Sequence, residues 1–167
     1  MLLNQTEKPF KKLGFHRMEA AEITTKLNVV LSTYQVFYHK AQTFHWNVKG
    51  GDFFDVHGIT EELYKDLVIH IDAIAERIRL FGAIPNYRLS DYIRDSVVKE
   101  ISHDRSAEYM IAELAEDLQK VIETLLDAHD YASKHGDIGS IHLIQKQTFE
   151  LESYHWKLVS WTNKSYK

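Results

Sequence analysis

Proline is almost absent from this chain, and that constrains the fold more than any other feature of the sequence. Of 167 residues only two are proline, Pro9 and Pro85, and seven are glycine. Proline removes a backbone donor and clashes with the preceding turn, so its scarcity favours long helices. Apolar residues recur at three- and four-residue steps in four long stretches, the periodicity of a helix with one buried face. The first carries Ile23, Leu27, Val30, Leu31, Tyr34, Tyr38 and Ala41, and runs to about Val48. Lys49-Gly50-Gly51 breaks it, and Asp52 stands where it can cap the next helix. The second carries Val56, Ile59, Leu63, Leu67, Ile71, Ile74, Ala75 and Ile78, and stops before Gly82 and Pro85.

A connection follows from about Ala83 to His103, too long for a plain hairpin, and within it Ser90 to Arg94 reads as a short helix with a serine cap. The third stretch holds Ile111, Leu114, Leu118, Val121, Ile122 and Leu125, entered through Asp104 or Ser106 and closed near Gly136. The fourth starts between Asp137 and Ser140 and carries Ile141, Ile144, Phe149, Leu151, Leu158 and Val159. The expected class is all-α: a ferritin-like four-helix bundle with a short extra helix in the long middle connection. Residues 1–167 read as a single domain, with a short flexible N-terminal arm at about 1–16.

Composition narrows the chemistry. With 44% hydrophobic residues the chain can bury a core of its own. No run approaches the roughly 18 apolar residues of a membrane span. The opening MLLNQTEKPFKK lacks the apolar stretch of a secretory signal, so the expectation is a soluble, cytoplasmic protein. Cysteine is absent, which excludes disulfides, thiolate metal sites and cysteine nucleophiles. Ten histidines and 24 acidic residues leave nitrogen and oxygen ligand chemistry. The formal net charge of −4 provides no overall attraction to nucleic acid.

Five residues form a geometric pattern: His45, His57, Glu61, Asp72 and Glu76. The pairs His57/Glu61 and Asp72/Glu76 are each spaced i,i+4, along one helix face. Eleven residues from Glu61 to Asp72 is about 1100° of rotation, roughly 20° from a full return, so all four share nearly one face. Glu61 and Asp72 nevertheless stand roughly 16 Å apart along the axis, too far to share an ion. Beside an antiparallel copy of the same helix, His57 meets the second copy's Glu76 and Glu61 meets its Asp72. Both pairings have one midpoint, between Asp66 and Leu67, so a single two-fold axis satisfies both and generates two identical sites. His45, a short loop away, is placed to add another ligand. Imidazole and carboxylate donors suit Fe(II), and also Mn(II), Zn(II) or Co(II). The same spacing also fits an ordinary solvated face on which Asp72 and Glu76 pair with Arg77 or Arg79.

His45-Trp46-Asn47-Val48-Lys49-Gly50, then Phe53-Phe54 and His57, then Asp72-x-x-Ala75-Glu76-Arg77-Ile78 followed by Gly82 and Pro85, resembles the Dps family of miniferritins. The likeness is dense from about Phe37 to Pro85. It implies that His45, His57 and Glu61 of one subunit form an iron site with Asp72 and Glu76 of the next. The family usually has aspartate where this chain has Glu61. The resemblance further implies a twelve-subunit shell that oxidises Fe(II), preferably with hydrogen peroxide, stores ferric mineral and protects against oxidative damage. In that setting Trp46, adjoining His45, is a candidate electron donor to stray oxidant, or an aromatic filling an interface. Glu116, Glu123, Asp127 and Asp130, near one face of the third helix, are candidates for a cation-guiding pore or a plain solvated face.

Two other readings compete. Some members of that family bind DNA through a lysine-rich arm, and this chain has Lys8, Lys11, Lys12 and Arg17 there, opposed by Glu7 and Glu19, with Lys164 and Lys167 at the other end. Twelve copies would supply avidity, but the arm is short and the chain acidic. A di-iron site inside each bundle would need Glu-x-x-His on two helices. Here Glu152/His155 falls on the fourth helix and Glu100/His103 in the connection, which supplies only half of that motif. His70 points roughly 220° away from His57 and is no ligand candidate on that helix.

Overall fold

The structure of the chain, a computed structural model, describes residues 8–101 and 105–162. Those residues form six helices and no strand: α1 (Pro9–Lys12), α2 (Arg17–Asn47), α3 (Phe53–Leu80), α4 (Leu89–Asp95), α5 (Ala107–Lys134) and α6 (Ile138–Thr162). The four long helices are the four periodic stretches, and α4 is the short helix of the connection. Among the described residues no helix is long and apolar enough to cross a membrane.

The helix ends follow local chemistry, with two departures from expectation. Asp52 occupies the cap position of α3 but makes no side-chain cap bond; only its carbonyl takes part, accepting from the Val56 N–H at 3.0 Å. Helix α4 begins two residues earlier than a Ser90 cap would place it, at Leu89, so Ser90 lies inside its first turn and Arg88 holds the uncapped flank. Of the two candidates before α5, Asp104 lies outside the described residues, and the Ser106 hydroxyl accepts from the Tyr109 N–H at 3.3 Å. Asp137 caps α6 by accepting from the Ser140 N–H at 3.1 Å. Gly82 closes α3 at φ 78°, a left-handed conformation, and a Cβ there would come within 3.0 Å of the Pro9 ring.

That contact seats the N-terminal segment. Of the arm expected at about 1–16, residues 1–7 lie outside the described residues; the remainder carries α1, with Phe10 and Phe15 packed on the core. Phe15 meets Phe81 at a ring-centroid distance of 5.3 Å. Helices α2 and α3 pack as one hairpin and α5 and α6 as another; α2 also lies against α5, and α4 crosses α2. Asn86 fastens the connection, its N–H bonding Asn28 at 2.7 Å and its carboxamide donating to Asp95 at 2.9 Å. The core runs through Tyr34, Phe37, Phe44, Leu63, Leu67, Ile74, Ile111, Leu118, Ile144 and Leu151, all buried. Phe149 is the exception among the expected core residues, at 75% exposed. Ile144, Leu151 and Leu158 share the buried stripe of α6, and Phe149 sits two residues, about 200°, away from it.

One charged cluster crosses this core. Lys40 on α2 is 3% exposed and Asp117 on α5 is 2% exposed, and they form an ion pair. Glu113 also accepts from Lys40, at 2.7 Å, and Lys120 adds a contact to Asp117 at 3.0 Å. Removing one partner of a buried pair strands the other charge, whereas removing both does not. Lys40→Ala is therefore expected to lower stability to denaturant by roughly 3–5 kcal/mol, and Lys40→Met with Asp117→Leu by much less. Equal losses in the single and double variants would contradict that account.

Candidate metal centre

The turn over residues 48–52 reverses the chain and sets the last turn of α2 beside the first turns of α3. That places His45 opposite His57, and the two histidines hold one another. His45 Nδ1 lies 2.9 Å from the His57 carbonyl oxygen, and His57 Nδ1 lies 2.9 Å from the His45 carbonyl oxygen. A carbonyl only accepts, so each Nδ1 carries the proton, which in a neutral imidazole leaves the lone pair on Nε2. A backbone acceptor on the far nitrogen is the usual orienting partner of a metal-binding histidine. The rings stack at 3.7 Å with 19° between their planes. Phe53 stacks on His57 at 4.8 Å, and Tyr64 presents its edge to His45 at 5.2 Å. Both imidazoles are thereby fixed without any ligand.

Glu61 follows His57 by one helical turn, and its carboxylate pairs with Lys65 at 2.5 Å. The Lys65 hydrogen bond, then the Lys65 charge, hold the Glu61 carboxyl below its ordinary range, and desolvation opposes this. His45 at the end of α2, with His57 and Glu61 at the start of α3, thus make up one half-set of candidate nitrogen and oxygen donors.

Asp72 and Glu76 form a second half-set farther along the same helix. Both are exposed and, among the described residues, neither makes a hydrogen bond or ion pair. The alternative pairing with neighbouring arginines does not form. Arg77 turns to α6, where it binds Asp137 and donates to the Ser140 hydroxyl at 2.9 Å. Its guanidinium packs so close to Gly139 that a Cβ there would sit 2.8 Å from it. Arg79 donates to the Ala83 carbonyl at 2.9 Å. The buried residues of α3, including Val56, Leu63, Leu67, Ile74 and Ile78, occupy the opposite side of the helix, which leaves the face of the half-sets open. Among the described residues no three histidine, aspartate or glutamate side chains converge on a metal position within the chain.

The other candidates fall elsewhere. His70 is buried toward α6, its Nε2 2.9 Å from Glu150. Glu152 is exposed and His155 half-buried on α6, and His103 lies outside the described residues. On α5, Glu116, Glu123, Asp127 and Asp130 are all exposed; Glu116 pairs with Lys120 and Asp127 with Lys26. Trp46 is 66% exposed beside His45. Sequence reasoning missed Lys65, although its i,i+4 spacing from Glu61 was a usable signal. It also missed Phe53, which stands i,i+4 from His57 on α3, and Tyr64, whose contact with His45 depends on the α2–α3 turn and carries no spacing signal. The histidine lock makes a direct prediction. Solid-state 15N spectra of histidine-labelled, metal-free protein at neutral pH should show the Nδ1–H tautomer at both His45 and His57. An Nε2–H form at either would break the lock.

Comparison with known proteins agrees with this fold. A family model described as a ferritin-like domain matches residues 24–165. DNA protection during starvation protein 2 of Bacillus anthracis is 31% identical over 142 residues, covering 85% of this chain and 97% of that protein. The DNA protection during starvation protein of Helicobacter pylori is 34% identical over 74% of this chain and 86% of its own length. Among solved structures, Dps from Staphylococcus aureus superimposes with a TM-score of 0.82 at 32% identity, covering 85% of this chain and 95% of its own. The Dps protein of Vibrio cholerae, described as a member of a broad superfamily of ferritin-like diiron-carboxylate proteins, gives 0.83 at 30% identity, with 86% and 91% covered. The chain belongs to the Dps family of ferritin-like proteins.

Proposed function

We propose that this protein is a ferroxidase and iron store: it oxidises Fe(II), preferably with hydrogen peroxide, at sites shared between two subunits and keeps the ferric product in a hollow shell. The observation that carries the reading is the pairing of a locked histidine half-set with an unpartnered carboxylate half-set on one helix face. Their positions satisfy a single two-fold axis between Asp66 and Leu67. Across that axis His45, His57 and Glu61 of one subunit stand opposite the second subunit's Asp72 and Glu76, giving two sites per dimer.

The donor set suits the task. Imidazole and carboxylate ligands with open positions hold Fe(II) and leave room for an oxidant. Two ferrous ions each give one electron to a peroxide, which takes up two protons and leaves as two waters. Holding both irons together avoids the one-electron cleavage that would release hydroxyl radical. Storage of the product extends that protection, within a cytoplasmic homo-oligomer that the family points to as a dodecamer. The kinship to a protein described as diiron-carboxylate supports iron as the substrate.

A subunit-mixing experiment tests the shared site. Neither His57→Ala nor Asp72→Ala/Glu76→Ala should oxidise Fe(II) rapidly with peroxide, followed as ferric absorbance. Mixed by unfolding and reassembly, the two variants should recover about a quarter of wild-type activity, because half of the dimers then hold one intact site of two. No recovery would place the chemistry within single chains or outside this site.

DNA protection is the second reading, favoured by the names of the relatives. Lys8, Lys11 and Arg17 are exposed around α1, whereas Glu7, Lys164, Lys167 and the Lys12 side chain lie outside the described residues. A cluster this small is expected to shift DNA in a gel only at low salt. A shift that persists at physiological salt would promote DNA binding to a main role.

A further inference from the structure

The carboxylates of the site differ in what they hold at rest. Asp72 and Glu76 have no polar partner among the described residues, although two arginines follow them closely in sequence. Glu61 carries a cation of its own, the Lys65 ammonium 2.5 Å from its Oε1. Glutamate four residues ahead of lysine is the favoured orientation for such a pair on a helix. The pairing is not enforced by burial, since the Glu61 and Lys65 side chains are 40% and 61% exposed. An arriving cation can therefore exchange with it.

We propose that Lys65 is a positioning residue, a resident cation on Glu61 that the second metal ion of each site must displace. This rests on the shared-site reading above. The ion served by the free Nε2 atoms and the unpartnered carboxylates meets no competing charge and binds first. The position served by Glu61 fills only when a divalent ion, with twice the charge of an ammonium at a similar distance, takes the carboxylate. The flexible stem lets Lys65 swing into solvent as this happens. When the metal leaves, the ammonium returns and keeps the carboxylate aligned beside His57. Loading is thereby ordered, and monovalent ions are kept off the second position.

Calorimetric titration of the assembled protein with Zn(II), which suits the donors and cannot be oxidised, reads the steps apart from turnover. Lys65→Met should strengthen the second binding step about five-fold, or reveal one absent from the wild type, with the first step unchanged. Lys65→Arg, which keeps the charge, should stay near the wild type. Glu61→Gln should remove the second step in both the wild-type and Lys65→Met backgrounds. Wild-type elution on size exclusion shows that each variant assembles. An unchanged second step in Lys65→Met, or equal strengthening of both steps, overturns the role of Lys65 and leaves the shared site standing. Zn(II) binding undiminished in Asp72→Ala/Glu76→Ala overturns the shared site itself.

Discussion

A straight helix holds its side chains at fixed heights, and that constraint governs how α3 can be used. At 1.5 Å per residue, donors eleven residues apart on one face are separated by roughly 16 Å, and no rotamer closes that gap. Helix α3 runs unbroken from Phe53 to Leu80, with its buried stripe committed to the bundle core. The face that carries His57, Glu61, Asp72 and Glu76 can neither fold back on itself nor turn inward. In the proposed site each half-set is incomplete on its own, and a partner related by two-fold symmetry completes both together.

The surrounding packing holds the neighbouring arginines away from Asp72 and Glu76. Arg77 would otherwise be the natural partner for a carboxylate on the open face, but Asp137 and Ser140 hold it on the α6 side. Arg79 is spent on the Ala83 carbonyl at the end of the helix. At the other end, the two histidines use each other's carbonyls and keep their outer nitrogens free. Such pre-organisation lowers the ordering cost of binding, because rings already fixed by Phe53 and Tyr64 lose little freedom when a ligand arrives.

Much of this was legible in the sequence, for a physical reason. Periodicity reports which side of a helix is buried, so four stretches of apolar spacing located α2, α3, α5 and α6. Spacing along one helix is likewise fixed by its geometry, which is why His57, Glu61, Asp72 and Glu76 could be placed on a common face. Contacts between helices were not legible. The mutual hold of His45 and His57 depends on the path of the 48–52 turn, and the commitment of Arg77 depends on where α6 begins. Of the caps read from the sequence, Ser106, one of two candidates, bonds through its side chain, Asp52 holds the position without a side-chain bond, and Ser90 lies inside its helix; the Asp137 cap was not anticipated. Phe149 shows the same limit in reverse, being apolar and near the stripe yet on the wrong side of α6.

The division of the donor set also bears on when chemistry can begin. An isolated chain offers two imidazoles and a lysine-paired glutamate at one end of α3 and two bare carboxylates at the other. Neither half is suited to hold two oxidisable ions close together, so a free subunit has little means of coupling two electrons to one peroxide. In the proposed dimer both halves are supplied at once, next to the surface where further subunits would enclose a cavity. In that proposal, oxidation begins with the dimer, the unit from which a product-holding shell would be built. In the proposed scheme assembly supplies the two-electron route, and a ferrous ion held loosely on an unassembled chain would keep the one-electron chemistry that the complete site avoids.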